Sequence, residues 1–234
     1  MTNFSLPKSI LAAVIGTASG LMIACPALPK QSSLEQQVES SFTPYEEHAS
    51  TLSYPYQDLI HDAEVSNNIS QHLYAALINV ESSFNPISTS KAGAKGLSQL
   101  MEAAAKEVGV TDRCSPEQSI LGGAAYLRRM YDIFSREQGL ERWKFALGAY
   151  NAGPNNIIAC QKIIEAAQQG KNSITIQRGN KKHTYENIEA YAVLSQNQWE
   201  SIATILPVVT KSHAIETTNY VQKVMKVYGY YLSR

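Results

Sequence analysis

"INVESSFNP", residues 78–86, sets a glutamate where an amphipathic helix repeats its apolar side chains, and then stops the helix with Asn85 and Pro86. Glu81 follows Leu77 by four residues, Ile78 by three and Tyr74 by seven, so it continues their apolar face. A carboxylate there loses part of its hydration, which favours the protonated form. The last helical turn adds the negative end of the helix dipole, which acts in the same direction. A carboxylic acid that keeps its proton near neutral pH is what glycosidic cleavage needs, because the departing oxygen must be protonated as the bond breaks. From this helix alone, a glutamate swung out to solvent is the other reading.

Outward from Glu81 the pattern is helical. "YPYQDLIHDAEVSNN" predicts a helix before it, and Ser70 is placed to cap the helix that carries Leu73, Tyr74, Leu77, Ile78 and Val80. After Gly96, the residues Leu97, Leu100, Met101 and Ala104 predict a third helix closed by Gly109. In "SPEQ", Ser115 is the N-cap, Pro116 the first helical residue and Gln118 the partner that a capping box wants. The helix so begun runs through "ILGGAAYLRRMYDIF". A fifth, "ERWKFALGAYNAGP", ends at Gly153 and Pro154, and a late one covers "ETTNYVQKVMKVYGYYL". "ITIQRGNKKHTYENI", 174–188, reads as two strands about a Gly-Asn turn. Lys171, Arg178, Lys181, Lys182 and His183 make that hairpin basic, a surface suited to carboxylates.

Length and charge bound the rest. The 234 residues, 44% hydrophobic, suffice for one main core, and a formal net charge of zero provides no electrostatic footprint for nucleic acid. Residues 1–24 read as a signal peptide: Lys8 precedes an uncharged run, 10–23, too short for the roughly 20 residues of a membrane span. "LMIAC" resembles a lipoprotein box, so Cys25 is either a lipidation site or lies beside an ordinary cleavage point. Residues 25–53 are Ser-, Gln- and Glu-rich and form a tether, leaving 54–234 as the domain. Outside the cytoplasm, Cys114 and Cys160 are expected as a disulfide, with two unpaired buried thiols as the alternative. The five histidines lack ligand spacing, so no metal is expected.

Five blocks, "ESSFNP", "SKAGAKGLSQLM", "SPEQSILGGAAYL", "ALGAYNAGP" and "ETTNYVQKV", resemble in order the catalytic domain of the soluble lytic transglycosylases, goose-type-lysozyme-like enzymes that cut peptidoglycan. The resemblance runs from about Tyr54 to Tyr228. It implies a mainly α, lysozyme-like domain with a small β-hairpin insertion, acting without a cofactor on peptidoglycan glycan strands in the periplasm. Glu81 would be the single catalytic acid and base, assisted by Ser82 through a hydrogen bond. Gln99 and Met101 would line the glycan cleft, Tyr150 would stand near the reacting sugar, and Asn151 would hold the N-acetyl side chain. Glu216 and Tyr220 match the closing block. The implied reaction is cleavage between N-acetylmuramic acid and N-acetylglucosamine with a 1,6-anhydro product. Plain hydrolysis, or a low-turnover peptidoglycan-binding role beside a secretion or pilus apparatus, is the alternative. The sequence departs from the pattern at Ser98, where methionine is common, at Glu102, where proline is, and at Gln118, where asparagine is.

Overall fold

The computed structural model describes residues 53–192, 198–211 and 213–234; the expected leader, Cys25 and the expected tether as far as residue 52 lie outside them. In chain order the elements are α1 Gln57–Asn67, α2 Gln71–Ser82, α3 Glu102–Glu107, α4 Pro116–Ile133, α5 Gly139–Ala152 and α6 Pro154–Gln168. Then come β1 Ser173–Arg178, β2 Lys181–Glu186, a 3-10 turn Ile188–Tyr191, α7 Gln198–Thr210 and α8 Ala214–Leu232. The described residues are mainly helical with one hairpin among them, as the sequence predicts.

The Ser70 hydroxyl accepts the Leu73 N–H at 3.4 Å and starts α2. Leu73 through Ile78 are then all buried, so α2 is enclosed around its circumference, with α8 and α1 packed against it. Ser115 starts α4 in the same way, accepting the Gln118 N–H, with Pro116 in the first turn. The capping box stays half-made. Gln118 Oε1 accepts from Thr111 N, Thr111 Oγ1 and Asp112 N, each at 3.0 Å, and so holds the preceding turn instead of reaching back to Ser115.

α5 lies along α4 through aromatic contacts. Tyr131 and Trp143 meet at 4.1 Å, Arg142 covers Tyr131 at 3.8 Å, and Phe134 meets Phe145 edge-on at 5.5 Å. At Gly148 the helix leaves room for the Trp199 ring, by which α7 docks; Glu141 secures the start of α7 by accepting the Trp199 N–H at 2.9 Å.

The structure corrects several expectations. The apolar run from Leu97 is a folded loop and only α3 is helical, because Gly96 at φ 79° and Gln99 at φ 48° break the helical path. α6 and α7 were not read from the sequence: α6 begins at Pro154 directly after Gly153, where a helix stop was the stronger signal, and α7 carries Pro207 inside it. Cys114 and Cys160 are free thiols, not a disulfide. Cys160 is enclosed in α6, Cys114 sits in the turn before α4, and α5 packs against both α4 and α6. The hairpin forms with the expected Gly179-Asn180 turn, pairing Ile174 with Tyr185 and Ile176 with His183 on its inner face. Arg178 is not one of its free cations: it donates to Tyr185 Oη at 3.2 Å, to the Val209 carbonyl at 3.0 Å and to Asn156 Oδ1.

Two measurements follow from this packing. A Cβ at residue 148 would lie 2.4 Å from the Trp199 ring, so Gly148→Ala should lose stability in equilibrium denaturation. The expected net loss is about 1–3 kcal/mol, despite the better helix propensity of alanine. Burial raises the Cys160 thiol to about 12, so alkylation of the native protein without reductant should label Cys114 and spare Cys160. Both should react after denaturation, as read by peptide mapping.

Candidate active site

α2 ends in two successive left-handed residues, Ser83 at φ 51° and Phe84 at φ 60°, a conformation that costs a non-glycine residue about 1–2 kcal/mol. It is held from both sides. The Ser83 N–H reaches the Asn79 carbonyl at 2.9 Å, and the Phe84 ring stacks on Tyr54 at 6.5 Å. Asn85 Oδ1 then accepts the Ile87 N–H at 3.1 Å, which sends the chain away from the helix end and leaves Glu81 in its final turn.

The loop from 88 to 101 is pinned by its own polar groups. Gln99 Nε2 donates to the carbonyls of Ser88 at 3.0 Å and Gly96 at 2.8 Å, and Arg113 donates to those of Gly93 and Leu100, both at 2.9 Å. Gly96 presses on the Arg113 carbonyl, which a Cβ would approach to 1.7 Å, so no larger residue fits. Ser98 is the anchor. Its N–H donates to Ser119 Oγ at 3.2 Å, its carbonyl accepts the Tyr150 hydroxyl at 2.7 Å, and its Oγ lies 2.8 Å from the Tyr74 hydroxyl. Tyr74 donates in turn to the Ile120 carbonyl at 2.5 Å. Gly123 makes room for this group, since a Cβ there would come within 2.5 Å of both Ser98 and Tyr74. Ser98, where methionine is common in the pattern that the sequence resembles, is thus matched to a tyrosine that reaches it from α2.

Glu81 belongs to the same polar cluster. Its carboxyl is recessed, enclosed by protein while part of the residue still touches solvent. Burial raises its pKa from 4.5 to about 7, opposed by the hydroxyl of Tyr220. No second carboxylate contributes to that shift among the described residues. Tyr220 is buried with its hydroxyl against Glu81, yet it makes no hydrogen bond of standard geometry. Burial also raises the Tyr150 and Tyr220 phenols well above their usual range, with Glu81 adding to the effect in each. Both stay neutral donors at physiological pH.

The remaining candidates are placed as follows. Ser82 Oγ donates to the Ile78 carbonyl at 3.2 Å, so its proton is directed into its own helix. Met101 stands 46% exposed just ahead of α3. Asn151 is exposed near the end of α5, where its Oδ1 accepts the hydroxyl of Thr217 at 2.8 Å. Glu216 is exposed in the first turn of α8, and Tyr220 follows Thr217 by three residues on the same helix. Sequence reasoning missed Tyr74, Arg113 and Thr217 because their partners lie 13 to 66 positions away in the chain. Chemically, the arrangement offers a carboxyl still half protonated near neutral pH, two neutral phenols and an exposed amide.

The chain is 31% identical over 166 residues to the membrane-bound lytic murein transglycosylase F of Desulfosudis oleivorans, covering 70% of this chain and 31% of that protein. It is 32% identical over 164 residues to the protein of the same name in Serratia proteamaculans, covering 69% and 30%. The chain therefore spans less than a third of the length of these relatives. Its fold is like that of a 70-kDa soluble lytic transglycosylase solved with bulgecin A, with a TM-score of 0.51 and 22% identity over 76% of this chain and 24% of that one. A family model described as the transglycosylase SLT domain matches residues 58–174, from α1 through the Glu81 and Tyr150 segments to the first strand of the hairpin, and the chain belongs to that family.

Proposed function

We propose that the protein is a peptidoglycan lytic transglycosylase that cleaves the β-1,4 bond between N-acetylmuramic acid and N-acetylglucosamine, with Glu81 as its single acid and base. The observation that carries this reading is the recessed Glu81 carboxyl, raised to about 7 by burial. Protonated Glu81 donates to the glycosidic oxygen as that bond breaks. The substrate's acetamido carbonyl, oriented by Asn151, shares the positive charge that develops at the anomeric carbon. Glu81, now ionised and near the hydroxyl of Tyr220, takes the proton of the sugar's C6 hydroxyl, whose oxygen closes on the anomeric carbon to give the 1,6-anhydro product. Water is neither consumed nor released. The Tyr150 hydroxyl is committed to the Ser98 carbonyl, so its part is to fix the wall beside the acid. Gln99 and Met101 are the glycan-lining positions, with Glu216 at the edge of the site. The leader fits export to the periplasm, and lipid on Cys25 would hold the enzyme at the outer membrane. Binding without turnover would point to service in a secretion or pilus apparatus.

Glu81→Gln keeps the shape and removes the transferable proton. Turnover of purified sacculi should fall about a hundredfold to ten-thousandfold while sacculus binding survives. Wild-type products should be lighter by one water than reducing-end muropeptides in mass spectrometry; an all-reducing product set would identify a hydrolase. Because the acid must enter protonated, kcat/KM should decline as pH rises through about 7.

The same shift sets a stability trade. The unfolded chain releases the Glu81 proton near 4.5 and the fold keeps it to about 7, so ionisation destabilises the fold above that window and not below it. Glu81→Gln should gain about 1–3 kcal/mol at pH 8 and nothing at pH 4, in paired thermal melts.

A further inference from the structure

We propose that Thr217 is a positioning residue that selects which end of the Asn151 amide faces the substrate. This rests on the reading of Asn151 as the group that meets the N-acetyl side chain. Thr217 is buried, 1% exposed, directly behind the exposed Asn151. Its hydroxyl carries one proton and has two acceptors in reach, Asn151 Oδ1 at 2.8 Å and the His213 carbonyl at 3.1 Å. The bond to the amide is the shorter of the two, and the His213 carbonyl is also served by the Thr217 backbone N–H at 3.1 Å, so the hydroxyl proton is assigned to the amide.

The consequence is directional. An amide whose oxygen is held from behind presents its N–H2 outward, and Asn151 has no other side-chain hydrogen bond among the described residues. The outward group is a donor, matched to the carbonyl of an acetamido group and mismatched to its N–H. Thr217 precedes Tyr220 by three residues on one face of α8, and Tyr220 stands against Glu81, so the residue that holds Asn151 shares a helix face with the neighbour of the acid. A reversed amide would set an acceptor against a carbonyl oxygen. Thr217 thereby makes Asn151 specific for an N-acetylated sugar in the one orientation that lets the acetamido oxygen reach the anomeric carbon.

The test uses the full chain on purified sacculi, with kcat and KM from release of soluble muropeptides and thermal melts for folding. Thr217→Val, which keeps the shape and loses the proton, should lower kcat about 3- to 10-fold with KM within about twofold. Thr217→Ser, which keeps the hydroxyl, should restore it. In an Asn151→Ala background, Thr217→Val should cost nothing more. Asn151→Asp retains the Thr217 bond but offers only oxygen outward, so it should lose activity as Asn151→Ala does, and this variant keeps the test open if Thr217→Val fails to fold. A Thr217→Val loss that adds in full to a slowed Asn151→Ala, or an Asn151→Asp enzyme at wild-type rate beside a slowed Asn151→Ala, overturns the proposal. Asn151→Ala at wild-type rate instead overturns the reading of Asn151 itself, and this proposal with it.

Discussion

α2 is enclosed by the domain, and everything at the site depends on that constraint. Six consecutive buried residues, Leu73 to Ile78, leave this helix no solvent face along its middle, so the carboxyl in its last turn emerges among protein atoms. The electrostatic cost of placing Glu81 there is what makes it useful: a group that would ionise near 4.5 holds its proton to about 7. Around it stand phenols, which can donate hydrogen bonds without bringing a charge that would pull the pKa back down. Tyr220 opposes the shift only in part.

Of these phenols Tyr150 is held, together with Tyr74, by a buried polar network centred on Ser98. Each polar atom of that residue has a partner: Ser119 on its N–H, Tyr150 on its carbonyl and Tyr74 on its hydroxyl. Satisfied networks of this kind rigidify, because any movement strands a buried donor or acceptor. Here the network ties α2, the 88–101 loop, α4 and α5 to one residue. Gln99 then sits at φ 48° with its amide turned onto the Ser88 and Gly96 carbonyls, a strained position that the anchored neighbour sustains.

Between the hairpin and its neighbouring helices, Arg178 performs the corresponding service. It joins the hairpin to Asn156 in the first turn of α6 and to the Val209 carbonyl near the end of α7. Those two helices adjoin the segments that carry Asn151 and Thr217. A side chain that reads as surface charge in the sequence is therefore a brace between elements, and the exposed cations left of that basic cluster are Lys171, Lys181 and Lys182.

The sequence by itself determined the helices that carry local signals and the chemical character of the acid. Ser70 and Ser115 mark helix starts because a cap acts within three residues, and the Gly179-Asn180 turn marks the hairpin for the same local reason. Glu81 was legible because its spacing from Tyr74, Leu77 and Ile78 placed it on an apolar face. Tertiary structure decided the rest. The run from Leu97 has helical spacing, yet left-handed Gly96 and Gln99 make it a loop whose apolar residues are buried by neighbours. Cys114 and Cys160 suggested a pair by compartment, but bonding requires two sulfurs to meet, and the packing of α4, α5 and α6 leaves them as separate thiols. Tyr74 with Ser98, Tyr150 with Ser98, and Thr217 with Asn151 join residues 24, 52 and 66 positions apart, and no local pattern encodes a contact that exists only once the helices have packed.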